Sequence, residues 1–165
     1  MLIRLSKLLM VLSVALFATL VVFNNVVDYG TNFAFVHHVL QMDTVFSTGQ
    51  AAWRGISSPV VHHIAYIGII LWEALIAVLC WIGSARLWQN RHDAVAFDTA
   101  KNIAIVGMVA GILLWFTGFN VVGGEWFLMW QSKQWNGLQS AREFTLILGF
   151  ILIYLHMPER NARPQ

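Results

Sequence analysis

The chain has 165 residues; 58% are hydrophobic, 11% are charged, and the formal net charge is +2. A soluble domain carries about 25% charged residues, so the composition excludes an ordinary soluble domain and a disordered chain. The scattered Lys and Arg residues make no nucleic-acid-binding patch, and the single Cys80 excludes an intrachain disulfide and a Cys-based zinc or iron–sulfur centre.

The apolar residues fall into long runs, and a bilayer span needs about 20 of them. The first run, 8–23, follows Arg4 and Lys7. A cleaved signal peptide has a similar layout but a shorter apolar core and a small-residue cleavage site. The absence of a clean cleavage motif favours a retained span over about 5–27. The second span, about 60–84, has Ser58 as a candidate cap and Pro59 at the first helical position. The third covers about 102–122, with Asp98 or Thr99 as candidate caps. The fourth runs from about 140 to 157, ahead of Pro158, and Ser140 and Glu143 have capping-box spacing.

Orientation follows the placement of basic residues. Arg4, Lys7, Arg86, Arg91, Lys101, Arg160 and Arg163 fall on one side; Arg54, Lys133 and Arg142 fall on the other. Both termini are therefore expected to be cytoplasmic. The two outer connections, 28–59 and 123–139, are not simple polar loops. In the first, apolar residues at 35, 36, 39 and 40 have partial helical spacing, which predicts a short helix at the membrane surface or packed on the span ends. The second carries Trp126, Trp130 and Trp135; the first two are four apart and would share a helix face. Tryptophan gathers at membrane interfaces because its ring is apolar and its N–H wants a wet partner. Interfacial anchoring is the plain reading of these aromatics, and a docking surface the sharper one.

Glu73 is the most informative residue. An acid deep in a span costs several kcal/mol and faces protein or a cavity. His62, Tyr66, Ala77, Cys80 and Ser84 all lie within about 40° of it on a helical wheel, so one polar or small stripe follows the whole span. Two readings stand: a neutral acid hydrogen-bonded to a neighbouring helix, or a member of a proton or ion pathway. In the third span Gly107, Gly111 and Gly118 share a face, and Gly107 with Gly111 makes a small-residue packing signature. Thr117 and Asn120 add polar atoms near the outer end.

His37, His38, His62 and His63 lie near the outer face, whereas His92 and His156 lie on the other side. They raise a bis-histidine haem or, with Asp28, Asp43 or Glu125, a metal site. No pair lies within two facing spans, and polar interfacial contacts are the default. Asn24, Asn25, Asp28 and Asn32 cluster where the first span ends; an ion or polar ligand and helix termination explain them equally. There is no nucleophile–base pair, phosphate loop or paired-carboxylate motif, so the reading is non-enzymatic and no cofactor is predicted.

TNFAFVHHVLQMDT over 31–44 with WRGI over 53–56, and EWFLMWQS over 125–132 with WNGLQ over 135–139, resemble the two loop signatures of the predicted small integral membrane proteins of domain-of-unknown-function family 2165. The resemblance covers nearly the whole chain, and Glu73 fits it. It implies a bacterial inner-membrane protein with four helices and implies no activity.

The expected architecture is all-α: a single-domain, four-span bundle with short interfacial helices in two periplasmic segments that join in one cap. The first functional expectation is an accessory subunit binding a membrane-protein partner, a second copy or lipid through Asn32, His38, Asp43, Trp53, Arg54, Glu125, Trp126, Trp130, Gln131, Trp135 and Asn136. The second is an oligomeric transporter or channel component using Glu73, Tyr66, His62 and Asn120. The third is a haem-binding electron-transfer subunit.

Overall fold

The computed structural model describes residues 1–46 and 49–159. These form five helices and no strand among the described residues: α1 (Leu2–Val27), α2 (Tyr29–Gln41), α3 (Pro59–Gln89), α4 (Ala94–Ile112, continuing as a π-helix over Leu113–Trp126) and α5 (Leu138–His156). Four of them, α2 excepted, are long and apolar enough to cross a membrane. At 1.5 Å per residue the shortest, α5, reaches about 28 Å, close to the thickness of a hydrocarbon core.

α3 packs between α1 and α4, and α5 closes against α4 and its π-helical continuation. The α3–α4 contact is tight because its residues are small. A Cβ on Gly83 would stand 2.8 Å from Ala104, and one on Gly107 would stand 2.9 Å from Cys80 Sγ. Gly111 meets Leu148 of α5 in the same way, at 2.7 Å. Backbones approach closely only where no side chain intervenes, which is how helices associate in a bilayer. Gly118 does not extend this groove: a Cβ there would meet only Leu114, at 3.7 Å. The widened backbone takes it off the packing face.

Several expected caps are replaced. Ser58 makes no capping bond. α4 starts eight residues before the expected span, where Asp93 accepts hydrogen bonds from the Val95 and Ala96 amides, so neither Asp98 nor Thr99 is the cap. α5 starts at Leu138, whose amide bonds Asn136 Oδ1; Ser140 is already inside the helix, and Glu143 accepts from Gln139 instead.

α2 packs on the start of α3. Asp28 alone separates it from α1. Along α1 the pairing with α3 is antiparallel, Thr19 with Trp81 and Asn25 with Glu73, whereas Tyr29, Phe33 and His37 on successive turns of α2 all meet His62 or His63. α4 also runs on through Gly123 and Gly124 to Trp126, past the expected span end at about 122. Trp126 and Trp130 share no helix face, because Leu128 turns into the left-handed region (φ 55°) between them.

The start of α1 and the residues just after α5 meet at one end of the bundle. Lys7 and Lys101 are almost fully buried there and close on Glu159 at 2.8 and 3.0 Å. Both lysines also donate to the Met157 carbonyl, Lys101 pairs with Asp98, and Arg4 approaches Glu159 at 3.5 Å. Burial alone would raise the Glu159 carboxyl. The two ammonium groups outweigh it and hold the carboxyl below its ordinary value. Arg160 and Arg163, which entered the orientation argument, lie outside the described residues.

Candidate functional site

The α3 stripe is buried along its whole length, from His62 and Tyr66 through Glu73, Ala77 and Cys80 to Ser84. It faces α1 and α2 on its outer half. Asn25 donates from Nδ2 to Glu73 Oε2 at 2.6 Å, and Tyr66 donates to the Asn25 carbonyl at 3.1 Å. The acid is therefore paired with the last turn of α1, just below the kink at Asp28. From there the polar contacts run outward only. Tyr66 packs on Tyr29 at 4.7 Å, and the Tyr29 hydroxyl meets His63 Nδ1 at 2.8 Å. Toward the other end Ala77 and Cys80 offer no link, and Ser84 Oγ is buried without a partner among the described residues.

His62 is fully buried. Its Nε2 lies 2.8 Å from the Ile56 carbonyl, which can only accept, so this nitrogen carries a hydrogen. Its Nδ1 lies 2.8 Å from His37 Nδ1. With both rings neutral, His37 donates and His62 accepts. Two axial nitrogens on one metal stand about 4 Å apart, twice a bond of about 2.0 Å. This pair is closer than that, and His62 has no free nitrogen, so it does not fit a haem iron. Among the described residues no three His, Cys, Asp or Glu side chains converge as metal ligands.

Beyond α2 the two inter-span segments interlock. His38 bonds Asp43 at 2.6 Å and stacks on Trp135, centroid to centroid 4.6 Å. Thr44 donates to Ser132 Oγ at 2.8 Å, and that oxygen also accepts from the Trp135 amide. The Phe46 amide donates to Gln131 Oε1. Arg54 lies over the Trp126 ring at 4.9 Å, with Trp53 edge-on to Trp126 at 6.0 Å. Trp53 is 73% exposed, and Trp126 and Trp130 are each 48% exposed. Polar side chains thus join the segments from within while tryptophans face outward.

Under this cap, between α2, α3 and the π-helix, is an apolar cavity of about 230 Å³. Phe35, Val39, Ile69, Leu114, Phe119 and Phe127 are among its walls. The π-helix shapes it. Hydrogen bonds five residues apart are rare beyond a single turn; here they persist over Leu113–Trp126. Phe127 N bonds Val122 O at 3.0 Å, and Asn120 reaches back to the Trp115 carbonyl at 2.8 Å. Asn120 Oδ1 is buried without a partner among the described residues.

Residues 3–158 match the DUF2165 family, described as predicted small integral membrane protein. The chain belongs to this family. The match takes in the four long helices, α2 and both cap segments. No curated protein and no solved structure matches the chain significantly.

Within this family member the proposed site residues divide into three groups. Glu73 and Tyr66 on the α3 stripe share Asn25 as partner, His62 on the same stripe bonds His37 and the Ile56 carbonyl, and Asn120 stands apart from them on the π-helix. His38, Asp43, Trp53, Arg54, Trp126, Gln131 and Trp135 come together in the cap, with Trp130 beside Phe46. Glu125 is exposed, Asn136 starts α5, and Asn32 bonds the Asp28 carbonyl, so these three stand apart from the cap contacts. Sequence reasoning left Asn25 between ion or ligand binding and helix termination, and did not find it as the partner of Glu73. An amide inside an otherwise apolar run was the available signal. The Lys7–Lys101–Glu159 cluster was also missed, because the three residues are remote in sequence.

Proposed function

We propose that this chain is a non-enzymatic accessory protein of the bacterial inner membrane, with both termini cytoplasmic, that binds a membrane partner or lipid through the aromatic cap. The observation that carries this reading is the exposed tryptophan surface of the cap. Thr44 with Ser132 and Phe46 with Gln131 join the two segments by hydrogen bonds, while Trp53, Trp126 and Trp130 touch across the same seam and still leave 48–73% of their surface exposed. Tryptophan on a rigid surface is the residue type that dominates binding energy at protein interfaces. Gentle solubilisation followed by identification of what co-purifies tests the reading. Trp130→Ala should deplete the companion while leaving the helical content unchanged. Equal recovery with the variant would remove the cap from the function.

A second reading, a small oligomeric transporter component using Glu73, rests on the polar contacts from Glu73 through Asn25 and Tyr66 toward Tyr29 and His63. They make half of a pathway, on the cap side. Proton flux in proteoliposomes tests it: Glu73→Gln keeps the hydrogen bond and removes titration, and unchanged flux would end this reading.

A further inference from the structure

We propose that the cavity under the cap is a phospholipid site, in which one acyl chain fills the space between α2, α3 and the π-helix and the phosphate meets Arg54. The proposal rests on the reading of the cap as a binding surface and gives it a ligand.

The cavity walls are apolar side chains and two glycines, Gly118 and Gly123. Its volume of about 230 Å³ exceeds the roughly 150 Å³ that houses a benzene ring in a dry protein cavity, and by that scale it takes about nine chain carbons. Its depth is that of a lipid chain. Taking Arg86 as the boundary on the termini side, Ile69 and Ala65 of the cavity wall lie about 26 and 32 Å along α3 at 1.5 Å per residue. A hydrocarbon core is about 30 Å thick, so the cavity straddles the far boundary, where chains meet headgroups. Val122 on its rim is exposed on the outside of the π-helix.

The charge beside it is matched to an anionic headgroup. Arg54 is half-buried, and no carboxylate among the described residues lies within ion-pair distance of it. Its Nε is buried without a hydrogen-bond partner, and its Nη1 makes only a long contact to the Trp126 carbonyl at 3.4 Å. Arg54 contacts the ring and carbonyl of Trp126, and Ile56 follows it by two residues. Trp126 precedes Phe127, and Ile56 bonds the Leu40 carbonyl at 2.8 Å; Phe127 and Leu40 are cavity walls. A guanidinium with free donors beside an apolar cavity suits a phosphate carrying a hydrocarbon chain.

Purified full-length protein in detergent is titrated with spin-labelled phosphatidylglycerol or phosphatidylcholine, and the motionally restricted fraction is read by electron paramagnetic resonance. Phosphatidylglycerol should bind about tenfold more tightly than phosphatidylcholine, and inorganic phosphate should not compete. Gly118→Leu fills the cavity and should abolish restriction of both lipids. If that variant does not fold, Gly118→Ala, whose added Cβ has room, should weaken both severalfold. Arg54→Gln should retain phosphatidylcholine binding and erase the preference. Wild-type binding by a folded Gly118 variant overturns the chain site; a preference that survives Arg54→Gln, or competition by inorganic phosphate, overturns the headgroup assignment. Co-purification with Trp130→Ala is read separately, so loss of the lipid site and loss of a protein partner are distinguishable.

Discussion

Asn25 and Glu73 meet at 2.6 Å across the α1–α3 contact, between two helices that are 48 residues apart in sequence at that point. A carboxyl and an amide that satisfy each other can be kept inside an apolar bundle; either alone is an unsatisfied buried group costing about 1–3 kcal/mol. Asn25→Ala should therefore lower the unfolding free energy in detergent by about that amount. Glu73→Gln, which retains a hydrogen-bonding side chain, should lose less than half as much. Equal losses would show that the charge state, not the hydrogen bond, holds the contact.

The glycines give a sharper packing test. Gly83→Ala drives a Cβ into the Ala104 backbone, and overpacking of this kind costs about 1–3 kcal/mol. Gly68 and Gly149 have nothing within 4 Å. Alanine there should be neutral or stabilising by up to about 1 kcal/mol, because it favours the helix. Thermal midpoints of the three variants should order accordingly.

The lysine-bound carboxylate at the termini end predicts an acid limit. The Glu159 carboxyl is held below its ordinary value of 4.5 in the folded chain. A depressed folded value means that its contribution is complete above about pH 4.5 and is lost as pH falls through the folded value. Stability should be flat with respect to this group at neutral pH and should fall under more acidic conditions. Glu159→Gln should cost about 3 kcal/mol at pH 7, the scale for breaking a buried pair, and should flatten the acid limb of a melting-temperature profile.

His62 anchors α2 through His37 and the 42–56 segment through the Ile56 carbonyl. His62→Phe keeps an aromatic ring, somewhat larger than the imidazole, and removes both bonds. Hydrogen exchange of the α2 amides should quicken at least tenfold, while those of α4 stay protected. Unchanged α2 exchange would assign the α2–α3 contact to the Phe33–His63 stack at 4.0 Å instead.

The spans were legible because each rests on a one-dimensional property. An unbroken apolar run can go only into lipid or a core, and the 3.6 period placed His62, Tyr66, Glu73, Cys80 and Ser84 on one buried face before any partner was known. Helix ends were less legible. Asp98 and Asp93 both have capping chemistry, and the choice depended on how far α4 could extend past α3 before the turn at 90–93. The π-helix had no sequence signal, since Gly118, Gly123 and Gly124 permit several backbones and only packing selects one.

The low charge content together with the four long apolar runs determined that this chain lives in a bilayer with four spans. Tertiary structure alone decided what the few polar residues do. Lys7 and Lys101, topology markers in the sequence, became a buried cradle for Glu159. Glu73 found Asn25, and Arg54 was left with free donors beside an apolar cavity. Hydrophobicity is additive along a chain and can be read from it. A hydrogen bond or an ion pair needs two groups a few ångströms apart, and that distance exists only once the helices have packed.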